Sequence, residues 1–258
     1  MQLVILMPVY NDWATLKQIL PLLDSALAST PYRPAVVVVD DGSTDPLDEA
    51  AFKIEKYKSL ASLDVIELGR NLGNQRAVSM GLAYISENIK CDAVVLMDAD
   101  GEDSPSDVPR LIQKFQDEGG RKMVFAARVK RAEHRTFRIF YYFYKQLYKA
   151  STGTKISMGN FSIIPARILA RMAVISEIGN HYVAGVLKAR IPYTQIDTAR
   201  SPRLGGRSKM NFTALVMHAH HQPGHSRLGV DARVVADHNP VSGRDDLAYI
   251  RLHHAQWT

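Results

Sequence analysis

Three uninterrupted apolar runs constrain this chain more than any other feature: Leu3-Val-Ile-Leu-Met7, Ala35-Val-Val-Val-Val39 and Ala93-Val-Val-Leu-Met97. Runs this short, with no polar alternation, suit strands buried on both faces of a sheet. A further strand is expected over Leu63–Leu68, and another over Lys122–Ala127. Helical patterns fill the gaps, near Ala14–Ala28, Leu47–Leu60 and Asn74–Asn88, with one more helix starting near Pro105. Strand and helix therefore alternate, which predicts an α/β fold: a mainly parallel sheet flanked by helices on both faces. The chain has 258 residues, 46% of them apolar, enough for one large α/β domain with a substantial core, or for such a domain plus an appendage.

The apolar runs stop on polar residues. Pro8, Tyr10, Asn11 and Asp12 follow the first, Asp40-Asp41-Gly42-Ser43 the second, and Asp98-Ala99-Asp100-Gly101-Glu102-Asp103 the fourth strand. Ligands of open α/β sheets sit beyond the carboxyl ends of the strands, so these clusters converge on one cleft. Asp and Gly also make ordinary turns and helix caps, which explains any one cluster taken alone. Clusters at neighbouring strand ends favour a site. Facing carboxylates repel unless a cation or protons intervene, and a D-x-D pair offers oxygen ligands to Mg²⁺ or Mn²⁺ while water and phosphate oxygens complete the shell. The chain lacks G-x-G-x-x-G after the first strand and lacks G-x-x-x-x-G-K-[ST], which argues against dinucleotide and P-loop folds. An aspartyl-nucleophile phosphatase would carry its D-x-D after the first strand instead of the fourth.

Four segments, Met7-Pro-Val-Tyr-Asn-Asp12, Val39-Asp-Asp-Gly-Ser-Thr-Asp45, Arg70-Asn-Leu-Gly-Asn-Gln-Arg-Ala77 and Leu96-Met-Asp-Ala-Asp-Gly-Glu-Asp103, resemble in order and spacing the motifs of family 2 glycosyltransferases of the GT-A (Rossmann-like) fold. The likeness covers about residues 1–215 and is greatest to the dolichyl- and undecaprenyl-phosphate sugar transferases. It implies that Pro8, Tyr10 and Asp12 border the nucleoside and that Asp40 and Asp41 hold base and ribose. It implies also that Asp98, Ala99 and Asp100 bring a divalent cation to the donor diphosphate. Glu102 stands where this branch commonly has Gln, and Asp12 where Glu is usual; Glu102 is therefore a candidate third metal ligand. Ala126-Ala127-Arg128 matches a Gly-Ser-Arg segment, which makes Arg128 a phosphate-binding, catalytic candidate. Arg203-Leu-Gly-Gly-Arg-Ser-Lys-Met210 resembles the R-x-x-G-x-S-K loop that closes the active site, with Arg203, Ser208 and Lys209 on bound phosphates. Direct displacement at the anomeric carbon would invert its configuration. Asp103 is then the general base for a hydroxyl acceptor, or, with an already ionised lipid phosphate, an orienting group or part of a helix cap.

The charge balance, 32 Lys+Arg against 26 Asp+Glu for a net +6, suits an anionic ligand or membrane surface and is too small to argue for nucleic acid. Arg128, Lys130, Arg131, Arg135 and Arg138 cluster beside a stretch, 137–148, in which seven of twelve residues are aromatic. On a helix, Phe137, Phe140, Tyr141, Tyr144 and Tyr148 share one face and Arg138, Lys145 and Lys149 an adjacent stripe. That pattern fits either an interfacial helix or a helix docked on the core; in the first case Arg135 and Arg138 are candidates for holding a polyprenyl phosphate. No run reaches the roughly 18 apolar residues of a membrane span, and the apolar N-terminus lacks the flanks of a signal peptide. The expected location is cytoplasmic and peripheral to a membrane face. Cys91, the single cysteine, reads as a small packed residue before a strand. Seven of nine histidines lie in 218–258, in spacings that match no metal-ligand set. Residues 216–258 are expected to form a weakly ordered tail in place of the transmembrane helices often found there in that branch. The leading expectation is transfer of a sugar from a UDP- or GDP-linked donor to a polyprenyl phosphate. The alternatives are transfer to a saccharide or small-molecule hydroxyl, or a catalytically weakened subunit that binds nucleotide or membrane.

Overall fold

A computed structural model of the chain describes residues 1–128, 158–199, 201–204 and 250–254. The strands are β1 (Leu3–Val9), β2 (Ala35–Asp40), β3 (Ser62–Leu68), β4 (Ala93–Leu96), β5 (Met123–Arg128), β6 (Met158–Pro165), β7 (Tyr193–Thr198) and β8 (Ile250–His254). The described helices are α1 (Trp13–Leu27), α2 (Asn74–Asn88), α3 (Val108–Asp117), α4 (Leu169–Ala173) and α5 (Tyr182–Lys188). All eight strands form one sheet in the order β7-β5-β6-β4-β1-β2-β3-β8. The pairs β1–β2, β1–β4, β2–β3 and β5–β7 are parallel, whereas β6 runs antiparallel to both β4 and β5 and β8 antiparallel to β3. The sheet is thus mainly parallel, as the alternation of elements predicts.

The apolar runs are buried on both faces because successive side chains point to opposite sides of a strand. Leu3, Ile5, Met7 and Val9 enter one core cluster with Leu16, Ile19, Leu23 and Leu27 of α1 and Leu111 and Phe115 of α3. Val4 and Leu6 enter a second cluster with Ala77, Val78, Leu82 and Ile85 of α2 and Tyr182, Val183 and Val186 of α5. The result is three layers, helix on sheet on helix. At Gly81, α2 comes so close to the sheet that a Cβ would lie 2.5 Å from a Leu6 methyl and 2.8 Å from a Val39 methyl. A side chain there would push α2 off β1 and β2.

The helix expected over 47–60 is replaced by two 3-10 turns, Glu49–Phe52 and Ile54–Lys56, separated by Lys53 in extended conformation. The buried anchors Ala51, Phe52, Tyr57 and Leu60 explain the difference: their spacing scatters around a helix instead of lining one face. Phe52 instead meets the Trp13 ring at a centroid distance of 5.9 Å. The helix expected near Pro105 begins as a 3-10 turn, Pro105–Asp107, and becomes α-helical at Val108. Within the segment read as a weakly ordered tail, residues 250–254 form β8, which extends the sheet beyond β3. Residues 205–249, which hold Ser208 and Lys209, and 129–157, which hold Arg135, Arg138 and the aromatic stretch, lie outside the described residues.

Candidate active site at the carboxyl edge of the sheet

The C-terminal ends of β1, β2, β4, β5 and β7 all open on one edge. Antiparallel β6 begins there, so residues from six strands converge. The loop after β4 is the centre. Asp98 is half-buried, and its backbone N–H donates to Asp103 Oδ2 at 2.9 Å. Asp100 Oδ1 accepts the Glu102 N–H at 2.9 Å, and Asp100 Oδ2 accepts Arg203 Nη2 at 2.5 Å and Nε at 3.2 Å. The contacts with Asp103 and Glu102 close the loop on itself, and Gly101 supplies the positive φ of +84° that the turn needs.

Residues 201–204 strap this loop through the backbone. The Ser201 N–H donates to the Glu102 carbonyl at 3.2 Å, and the Leu204 N–H to the Asp100 carbonyl at 3.1 Å. Leu204 also covers Gly101, where a Cβ would stand 2.6 Å from its side chain. Arg203 is thereby held among acids: its guanidinium pKa is raised first by the Asp100 hydrogen bond, with further attraction from Asp100, Glu102 and Asp12. Asp12, at the N-cap of α1, and the loop after β4 therefore act on one cation.

The second acidic pair divides its work. Asp40 accepts the Ser43 N–H at 2.9 Å, and Asp41 accepts Leu72 N–H at 2.7 Å on one oxygen and Gly73 N–H at 2.8 Å on the other. Asp41 thus ties the β2 loop to the loop that enters α2. Burial pushes both carboxyls above the usual range, against the hydrogen bonds that lower them. Such a shift means that ionisation costs stability as pH rises through the folded pKa, and that the cost is absent below the unfolded value, about 4. Asp40→Asn, which mimics the neutral form, is accordingly expected to raise the melting temperature at neutral pH, with the gain fading below about pH 4. Asp41→Asn can satisfy only one of two convergent N–H groups and should cost about 1–3 kcal/mol by urea denaturation.

The remaining sequence-derived candidates distribute as follows. Pro8 is buried within β1, opposite Val39, and Tyr10 lies half-buried just past the strand end. The Ala99 methyl packs into the core, which leaves its backbone to the loop. Glu102 is half-buried, and Asp103, 2% exposed, lines a cavity of about 10 Å³ with Phe161 and Thr198. Arg128 closes β5 opposite Thr198, so its backbone stands on the functional edge. Cys91, its thiol pushed up to about 11 by burial, is unsuited to be a nucleophile at neutral pH.

Several residues of the site act through contacts to which the sequence motifs assigned no role. Asn11 adopts φ +51° and accepts the Thr44 and Asp45 N–H groups at 2.8 and 3.1 Å, pinning the β2 loop to β1. Asn74, the first residue of α2, donates to Asp98 Oδ1 at 3.3 Å, and Asn160 of β6 donates to Asn74 at 3.5 Å. The Asn before Asp12 is a common left-handed residue and could have flagged the first; nothing local pairs 74 with 160.

Among the described residues no group of three or more His, Cys, Asp or Glu side chains stands ready to hold a metal. Mg²⁺ and its like are commonly bound by one or two carboxylates plus phosphates and water. Asp98 and Asp100 fit that partial donor set, and the Arg203 guanidinium on Asp100 shows that this loop attracts a cation.

A mainly parallel sheet with acidic loops gathered on its carboxyl edge is the architecture of the GT-A fold. Glucosyl-3-phosphoglycerate synthase from Mycobacterium tuberculosis, solved with Mn²⁺, UDP-glucose and phosphoglyceric acid, superposes with a TM-score of 0.53 at 17% identity, covering 80% of this chain and 72% of that one. The chain belongs to glycosyl transferase family 2, whose family model matches residues 4–179. Among curated relatives, the uncharacterized glycosyltransferase YkcC of Bacillus subtilis (strain 168) is 25% identical over 92% of this chain and 69% of its own length. The undecaprenyl-phosphate 4-deoxy-4-formamido-L-arabinose transferase of Klebsiella pneumoniae is 32% identical over 45% of this chain and 33% of its own. The chain therefore spans about two thirds of the first relative and one third of the second.

Proposed function

We propose that this glycosyltransferase moves a sugar from a UDP- or GDP-linked donor to a polyprenyl phosphate at a membrane surface, with Mg²⁺ or Mn²⁺ at Asp98 and Asp100. The observation that carries the donor half is the loop after β4, where Asp100 and Glu102, with Asp12 of the β1 loop, act on a captured cationic side chain beside Asp98. A divalent cation bound there supplies charge stabilisation to the departing nucleoside diphosphate. Asp40 and the β1 loop border the nucleoside, and Arg203 serves the diphosphate once it leaves Asp100. Arg128, whose backbone ends β5, is assigned the second positive group on the motif resemblance.

Asp103 bears on the acceptor. Its Oδ2 holds the Asp98 N–H and its side chain is almost wholly buried, which suits a group that orients the loop. A phosphate acceptor is already ionised near neutral pH and requires no base. The resemblance to the undecaprenyl-phosphate transferase and the basic-aromatic segment 128–149 support the same choice. No helix among the described residues is long and apolar enough to cross a membrane; Arg135 and Arg138 are assigned to the lipid phosphate, and Ser208 and Lys209 to a loop over bound phosphates, on sequence alone.

The test is a screen of UDP- and GDP-sugars with a short polyprenyl phosphate, with Mn²⁺ or Mg²⁺ present. Glycolipid formation that stops when the metal is chelated is the expected result. Transfer that continues in chelator sinks the metal assignment, and transfer only to saccharide hydroxyls sinks the lipid acceptor.

A further inference from the structure

Asp98 is held by a chain of amides that reaches across three elements. The Tyr182 N–H, at the start of α5, donates to Gln75 Oε1 at 2.7 Å. Gln75 Nε2 donates to Asn160 Oδ1 at 3.4 Å, Asn160 Nδ2 to Asn74 Oδ1 at 3.5 Å, and Asn74 Nδ2 to Asp98 Oδ1 at 3.3 Å. The sheet explains why Asn160 is within reach. Leu96 of β4 stands opposite Ser162 of β6, and carrying that antiparallel register on by two residues sets Asp98 opposite Asn160.

The two ends of this chain dictate its direction. A backbone N–H can only donate and a carboxylate can only accept, so each amide between them must take with its oxygen and give with its nitrogen. We propose that Gln75, Asn160 and Asn74 form a one-way amide relay that orients the Asp98 carboxylate for the donor's cation and diphosphate. They are positioning residues, and the proposal rests on the assignment of Asp98 to that donor site.

The relay makes a prediction whose sign separates it from simple charge. Gln75→Glu keeps the shape and keeps an oxygen for the Tyr182 N–H, but replaces the donor that faces Asn160. Asn160 must then turn its nitrogen toward residue 75, Asn74 must turn its nitrogen toward Asn160, and the Asn74 oxygen comes to face Asp98. An added negative charge alone would tighten cation binding, whereas a reversed relay repels Asp98 and loosens it.

The experiment uses the full chain. In ligand-free protein, the Asn74 side-chain amide NMR signal, assigned by its loss in Asn74→Ala, is expected to move in Gln75→Glu. Calorimetric titration of Mn²⁺ in the presence of UDP or GDP should show binding weakened roughly tenfold, with no further loss when Gln75→Glu is added to Asn74→Ala. Asn160→Ala breaks the relay without new charge and should weaken binding similarly, which covers misfolding of the first variant. An unmoved Asn74 signal overturns the relay, and unchanged or tighter Mn²⁺ binding overturns the positioning role. If the wild type takes up no Mn²⁺ with either nucleotide while the signal still moves, the donor-site assignment fails and the positioning role with it.

Discussion

Asp100→Asn is expected to lower sugar transfer by about 10²–10³-fold, the usual cost of removing one preorganised electrostatic partner of the leaving group. The loop itself should survive, because the amide oxygen still accepts the Glu102 N–H that Asp100 Oδ1 takes at 2.9 Å. The amide nitrogen, by contrast, would face the Arg203 guanidinium, donor against donor, and release it. A melting temperature close to wild type together with lost transfer locates the effect in chemistry. Transfer that persists in Asp100→Asn would remove this carboxylate from the mechanism and revive the reading of a binding subunit.

Arg203→Gln should act in opposite directions on two measurements. Arg203 neutralises Asp100 in the ligand-free protein, so an incoming cation has to displace it. A charge-assisted hydrogen bond contributes about 1.5–3 kcal/mol when well shielded. Here the two side chains are 28% and 14% exposed, which favours the low end or less. Affinity for Mn²⁺ alone, measured by calorimetry, should therefore rise roughly tenfold at most. Sugar transfer should fall about tenfold or more, because the same guanidinium is then missing from the diphosphate. Unchanged affinity for Mn²⁺ alone would show that Arg203 does not compete for the site.

Much of this arrangement was legible in the chain. Val36–Val39 and Val94–Val95 announce strands buried on both faces, and Asp40 and Asp98 mark where they end. The order of those motifs gave the family. The 47–60 segment was harder, because Phe52 and Tyr57 are pinned in the core at separate points and no periodicity describes that. The strap formed by Ser201–Leu204 was partly legible: Arg203 stands out by resemblance, but its meeting with Asp100 joins residues about a hundred positions apart. Amide pairs such as Gln75 with Asn160 leave no local signature, since Asn and Gln are as common in exposed turns as in sites. Register across β4 and β6 brings them together, and register is a property of the folded sheet.

The backbone bonds from Ser201 and Leu204 to Glu102 and Asp100 also have a consequence for local unfolding. A loop tied by its own main chain to a second segment opens only when both let go, so the two share one opening free energy. Amide hydrogen exchange at Ser201 and Leu204 should slow together when donor nucleotide binds to the loop after β4, although neither amide belongs to that loop. Exchange at the two amides that stays independent of the nucleotide would show that the strap breathes alone.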